Sequence, residues 1–249
     1  LRSIKDNSGK LYEHNRDHFF LVKWDSGAFS EPAWREDPDG SVSILAGDPI
    51  LMDGCSVLSR EQQLDRLAPA GKEVQVESLA LCRGTFALVK YHSIYRSLSL
   101  ATDAVGLRSI YYVIQDGLLI FATALRVLEA SSYIRKRLSV LGMGELSAFS
   151  FPLADHTPYE DLKILRECQI LSANRSGVTL RSYYDWSNPD PCPSNSTEAA
   201  SQLHALFNEA VHIRAKNDQT VYSFLSGGMD SRAIVSTLIS KGLKIEALN

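Results

Sequence analysis

The sequence predicts an α/β protein in two parts, an α+β portion built on antiparallel strands and then the first βαβ unit of a parallel sheet. Three observations carry that expectation. Short strand-like runs separated by turn residues crowd the first two thirds of the chain. A stretch over 187–197, SNPDPCPSNST, then breaks the pattern with three prolines and several turn formers, and is expected to be extended and exposed. Beyond it, helix, strand, glycine corner, helix and strand follow one another at the lengths of a βαβ unit. The domains expected are therefore 1–186, a linker over 187–197, and 198–249.

In order, the strand-like runs are His18 to Trp24, Ser41 to Leu45, Phe86 to His92, Ser97 to Ala101, Ile110 to Ile114 and Leu118 to Phe121. Gln115-Asp116-Gly117 joins the last two as a tight hairpin. Glu61 to Leu67 reads as a short helix. Ala122 to Ala130 reads as a longer one, with Leu125, Val127 and Leu128 as its apolar face. Leu138 to Phe149 is also expected to be helical, although Gly142 and Gly144 weaken that pattern. Gln169 to Ser172 and Val178 to Arg181 flank the turn residues Asn174 to Gly177. After the linker, Leu203, Leu206, Phe207, Ala210 and Val211 recur at helical spacing. That helix is expected to be capped by Ser196 or Thr197, with Arg214 and Lys216 at its negative end. The strand Val221 to Leu225, the helix Ser231 to Ser240, a turn at Gly242 and the strand Leu243 to Leu248 complete the pattern. Two strands are too few for a doubly wound domain, so only its first part is expected.

The composition narrows the function classes. With 249 residues, 45% hydrophobic and 22% charged, the chain is a globular one of one or two domains. A net charge of −3 argues against non-specific binding to nucleic acid or membrane surfaces. No apolar run reaches the length of a membrane span. Cys55, Cys82, Cys168 and Cys192 are far apart with no C-x-x-C pair, which suits free thiols in the cytoplasm better than zinc ligands or disulfides.

The run FLSGGMDSRAIV, Phe224 to Val235, carries the most chemistry. An apolar strand ending at Leu225 leads into Ser226-Gly227-Gly228, and a helix is expected to start near Asp230. The glycines let the backbone turn its N–H groups toward an anion, Ser226 and Ser231 add hydroxyls, and the helix N-terminus adds unpaired amides. Asp230 suits a Mg²⁺ ion that accompanies phosphates. The Walker pattern G-x-x-x-x-G-K-[ST] does not occur, and the bland alternative is an ordinary glycine-rich strand-to-helix turn. Arg232, directly after the loop, reads either as a contact to phosphate or an acidic substrate or as an exposed arginine of the first helical turn.

S-G-G-x-D-S resembles the PP-loop of N-type ATP pyrophosphatases, and the order of segments resembles the asparagine synthetase B family. The resemblance lies in Arg83 to Leu128, with D-x-x-G-x-R followed by the tyrosine pair, in TPYEDLKIL from Thr157, in SYYDW from Ser182, and in SGGMDSR. It implies a glutaminase-like sandwich of the Ntn-hydrolase type followed by the start of a doubly wound PP-loop domain. It also implies an amide-forming ligase, asparagine biosynthesis being the default, that uses ATP and Mg²⁺ to adenylate a carboxylate. Leu225, Ser226, Gly227, Gly228, Asp230 and Ser231 would bind the nucleotide, and Asp230 the metal. The nitrogen would come from glutamine, ammonia or a substrate amine, and a homodimer stays open. A nucleotide-binding protein without turnover is the alternative from another class.

The departures from the family are as informative. Working members begin with a cysteine whose thiol attacks the glutamine amide. In this chain the sequence reads Leu1-Arg2-Ser3, and no N-G-E segment is recognisable near Asp48-Pro49 or Asp53-Gly54. Thr123-Ala124 replaces the family's Ser-Glu pair. The first domain is therefore expected to be a glutaminase fold without its nucleophile, the other reading being that a cysteine-bearing start precedes Leu1. No catalytic residue is assigned within the sequence, and residues 1–249 are expected to have little turnover by themselves. Asp103, Gly106 and Arg108 read as a tight turn closed by an aspartate and a salt bridge, in preference to a ligand contact. The six histidines are scattered and read as exposed or core-edge residues.

Overall fold

The computed structural model describes residues 9–16, 18–29, 33–54, 56–187, 195–215 and 220–248. The chain forms two compact units, Leu1–Trp186 and Ser187–Asn249. Most of the proline-rich stretch, together with Leu1-Arg2-Ser3, Cys55, Cys192 and Lys216, lies outside the described residues.

The strands of the first unit are β1 (Lys10–Arg16), β2 (Phe19–Asp25), β3 (Trp34–Glu36), β4 (Val42–Ile50), β5 (Met52–Asp53), β6 (Ser56–Val57), β7 (Arg83–His92), β8 (Ser97–Thr102), β9 (Ile110–Gln115), β10 (Leu118–Ala122), β11 (Lys163–Leu165), β12 (Gln169–Asn174) and β13 (Gly177–Ser182). Its helices are α1 (Arg60–Leu67), α2 (Val76–Leu81), α3 (Leu125–Ala130) and α4 (Val140–Phe149). A six-stranded sheet runs β13-β12-β8-β7-β4-β3 and a three-stranded one β10-β9-β11, every pairing in both being antiparallel.

Side-chain alternation along the strands sorts the interior into layers. Val42, Ile44, Val89, Tyr91, Leu100 and Leu171 leave one face of the large sheet and meet Phe19 and Leu21 of β2 and Ile110, Tyr112 and Leu165 of the small sheet. The opposite face sends Leu45, Phe86, Leu88, Ala101 and Ile170 against Leu64 and Leu67 of α1 and Leu79 of α2. Beyond the small sheet, Val113 packs with Leu128 of α3, Ile134 and Leu162. The order is helix, sheet, sheet, helix, which is the antiparallel α+β sandwich that the sequence leads one to expect.

The chain crosses between the two sheets twice, over residues 103–109 and again over 166–168, and the first crossing is a turn built on Asp103. β8 ends at Thr102, and residues 103–109 carry the chain over to β9. Asp103 is fully buried, and its carboxylate accepts the backbone N–H groups of Phe86, Val105, Leu107 and Arg108 at 3.2, 3.0, 3.2 and 2.8 Å. Its own backbone accepts from Cys168 and donates to Phe86, both at 3.1 Å. Around it Tyr183 Oη donates to the Thr102 carbonyl at 2.8 Å, and Trp186 Nε1 to that of Ala104 at 2.9 Å. The expected tight turn is present. The expected salt bridge is not: Arg108 makes none among the described residues, because backbone amides fill the aspartate's acceptor sites.

A polar rung crosses the helix-covered face of the large sheet, where Arg35, Ser43, Lys90, Ser99, Ser172 and Thr179 stand opposite one another. Lys90 is fully buried and donates to Ser43 Oγ at 3.0 Å and to the Pro69 carbonyl at 3.1 Å, with Asp37 at 3.8 Å. Burial pushes its pKa down, and the Arg35 charge adds to the effect.

Element boundaries differ from expectation where local pattern is a weak guide. Ala122 ends β10, and α3 starts only at Leu125, with Val127 turned outward. The sequence pattern does not predict β1, β3, β11 or α2: β1 mixes polar and apolar residues without clean alternation, and the other three are six residues or shorter. α4 tolerates Gly142 for a positional reason, since a Cβ there would stand 2.0 Å from the Thr157 carbonyl oxygen.

The second unit contains α5 (Ser196–Ala215), β14 (Thr220–Phe224), α6 (Met229–Ser240) and β15 (Lys244–Leu248). β14 and β15 pair in parallel, from Thr220 opposite Lys244 to Phe224 opposite Leu248. The cap of α5 is Asn195, whose Oδ1 accepts the Glu198 N–H at 2.7 Å, so neither Ser196 nor Thr197 has that role. Arg214 donates to the Ala210 carbonyl at 2.9 Å in the last turn. Phe207, Val211, Val221, Ile234 and Leu238 help line an apolar cavity of about 350 Å³ between α5, β14 and α6.

Replacing Asp103 with Ala leaves buried N–H donors without an acceptor and is expected to lower stability by about 3 kcal/mol or more in urea unfolding. Asp103→Asn should fall short of wild type too, since its NH₂ group would face N–H donors. Because the Lys90 pKa is depressed, the unfolded chain binds more protons between the folded value and 10.5. Stability should therefore rise with pH through that interval relative to Lys90→Met, a difference measured by paired melts at pH 7 and pH 10.

Candidate functional site

The corner between β14 and α6 follows from its sequence. Leu225 N–H donates to the Leu248 carbonyl at 2.9 Å, which extends the parallel pairing one residue past β14. Leu225 thus stands half-buried at the carboxyl ends of both strands, with Ser226 next into solvent. Gly227 has φ +74°, a left-handed conformation that glycine adopts without strain. Gly228 is the N-cap of α6, with ordinary extended angles. A Cβ on Gly228 would meet only Ser226 Oγ, at 3.4 Å, so neither its conformation nor its protein neighbours require glycine there.

The polar groups of the corner face one another. Ser226 Oγ and Ser231 Oγ are 3.2 Å apart, and Gly228 N–H donates to Ser226 Oγ at 3.4 Å. Ser231 Oγ donates to the Gly228 carbonyl at 3.3 Å. These contacts are long, and an anion with stronger acceptors can replace them. The helix starts at Met229, one residue before the expected position, which places Asp230 in its first turn. Asp230 is exposed and makes no hydrogen bond or ion pair among the described residues, so both carboxylate oxygens are open to a hard cation. The six residues singled out from the sequence therefore occupy one loop and one helical turn. Sequence reasoning does not foresee the Arg232 side chain folding back on the same loop, with Nε donating to the Gly228 carbonyl at 3.2 Å.

The first unit shows no thiol fit for nucleophilic attack among its described residues. Cys82 is buried, and its pKa is pushed up to about 12 by burial. Cys168 is buried as well, its thiol pKa is raised by burial, and it donates to the Ala104 carbonyl at 3.3 Å. Asp48 and Pro49 lie within β4, and Gly54 turns between β5 and β6.

The chain is similar to known proteins over two stretches. Residues 66–184 match the family model described as a glutamine amidotransferase domain, and residues 202–244 the one described as asparagine synthase. The first class is thus an amidotransferase domain, followed by a partial synthase domain that contains the Ser226–Ser231 loop. Together the two matches make the chain similar to the asparagine synthetases. Asparagine synthetase [glutamine-hydrolyzing] 3 of Bacillus subtilis is 24% identical over 168 residues, covering 66% of this chain and 27% of that protein. Amidase chyE of Penicillium rubens is 28% identical over 171 residues, covering 66% of this chain and 25% of its own length. The chain spans about a quarter of the length of these relatives. Among solved structures, glutamine phosphoribosylpyrophosphate amidotransferase of B. subtilis aligns with 87% of this chain and 48% of its own, at 12% identity and a TM-score of 0.37. No helix among the described residues is long and apolar enough to cross a membrane.

In the native protein at pH 8, Cys82 and Cys168 are expected to resist Ellman's reagent. Peptide mapping should find both labelled only after denaturation, and fast labelling of either would contradict the burial described.

Proposed function

We propose that the chain is part of an ATP-dependent carbon–nitrogen ligase that adenylates a carboxylate, releases pyrophosphate and transfers nitrogen to the acyl group. The observation that carries this reading is the placement of Ser226–Ser231, inside the asparagine synthase match and at the carboxyl ends of two parallel strands. Gly228 adds support. Packing within the loop gives no reason for glycine there, whereas a phosphate resting on the backbone would need the space.

In this reading Ser226, Gly227, Gly228 and Ser231 hold the pyrophosphate-side oxygens, and Leu225 borders the adenine. Asp230 would hold Mg²⁺, which spreads the charge that develops on departing pyrophosphate. The oxygens fit that ion, an unpaired carboxylate and hydroxyls for the metal, while the backbone N–H groups beside them suit the phosphates that would share it. Asparagine from aspartate and glutamine is the default product. A second reading, in which ammonia or a substrate amine supplies the nitrogen, is supported by Thr123-Ala124 standing in place of the Ser-Glu pair that the family resemblance implies.

Asp230→Ala in the full-length protein is expected to abolish ATP–pyrophosphate exchange with an unchanged far-UV spectrum, and undiminished exchange would remove the metal role. Pyrophosphate release with aspartate, measured with and without glutamine, separates the donors. Stimulation by glutamine would exclude the second reading, and no release with any carboxylate would leave a nucleotide-binding protein without turnover.

A further inference from the structure

Gly228 offers its carbonyl to three donors: the Arg232 N–H at 3.4 Å, Ser231 Oγ at 3.3 Å and Arg232 Nε at 3.2 Å. The first is the ordinary opening bond of a helix, and the third is not. Arginine in a first helical turn is disfavoured by the positive end of the helix, and a free arginine there would extend into water. Instead the guanidinium turns back to the loop. Arg232 is exposed, and its terminal Nη groups bond no partner among the described residues.

The charge of the corner makes that placement consequential. Between Ser226 and Ser231 the single ionisable side chain is Asp230, so the loop is net negative before any cation arrives. A Walker loop carries a lysine for its phosphates, and this loop has none. Arg232 restores neutrality one residue past the loop. With Nε fixed on a carbonyl, the planar fork holds its two remaining nitrogens at a set orientation, which suits paired phosphate oxygens.

We propose that Arg232 is a further nucleotide-binding residue, anchored through Nε to the Gly228 carbonyl so that its terminal nitrogens meet the terminal phosphates of a nucleoside triphosphate. This rests on the reading of the loop under Proposed function. The ligand selected is a polyphosphate, and a nucleoside monophosphate gains nothing from the contact. Lysine cannot replace it, since an ammonium ion that reaches the phosphates releases the carbonyl.

The test is titration calorimetry of the full-length protein with Mg-ATP and with AMP, for wild type, Arg232→Gln and Arg232→Lys. The dissociation constant for Mg-ATP should rise about 10-fold in Arg232→Gln and by less in Arg232→Lys, with AMP affinity within about 2-fold of wild type in both. Equal losses for ATP and AMP with a lower melting temperature would make Arg232 a helix cap and overturn the proposal. Unchanged ATP affinity in Arg232→Gln would overturn it as well, while leaving the loop assignment standing. Absence of any Mg-ATP binding in wild type would instead defeat the loop assignment. If Arg232→Gln does not fold, Arg232→Lys decides the matter alone, since it keeps the charge and loses the fork.

Discussion

The first unit depends on a buried carboxylate. Two sheets packed face to face need a covalent crossing between them, and a crossing buried under other chain segments must satisfy its own backbone. Asp103 meets that requirement by gathering donors from β7 and from the turn that starts β9. The same turn receives the Cys168 amide and the side chains of Tyr183 and Trp186, so the last segment of the unit is fastened to the first crossing. An aspartate is suited to this because its two oxygens accept several bonds and donate none.

The large sheet makes a different compromise. Its helix-covered face is apolar along the rung of Leu45, Leu88, Ala101 and Ile170, and polar one rung further along. Lys90 stands on that second rung, where Pro69, just after α1, supplies a carbonyl, Ser43 a hydroxyl and Asp37 charge. Such an arrangement specifies register more than it adds stability, since shifting β7 by one residue would move Lys90 into the interior between the sheets.

Much of this is legible in the sequence, for identifiable reasons. β7, β9 and β10 carry dense β-branched and aromatic residues, β8 alternates serine with leucine, and a hairpin turn lies at Asp116-Gly117; the boundaries of the four differ from the expected ones by three residues at most. The Ser226–Ser231 loop is legible because its residues adjoin in the chain, so finding the string finds the geometry. β1 and the short β3, β11 and α2 are not, since pairing and burial form them and no local pattern does. The polar rung is equally hidden, because its residues come from six separate strands and meet only through register. Arg232 lies between the two cases. The sequence places it beside the loop, while the direction of its side chain is a matter of rotamer and partner.

The pairing of β12 with β8 has a consequence for how the chain is made. Ala101 stands opposite Ile170, about 70 residues later in the sequence. A ribosome adding roughly 5–20 residues per second leaves the open edge of β8 waiting several seconds for its neighbour. During that interval the nascent sheet presents unpaired amides and the leucines Leu98 and Leu100 to whatever is nearby. Synthesis therefore passes through a stage at which chaperone capture and intermolecular strand pairing compete with completion of the domain.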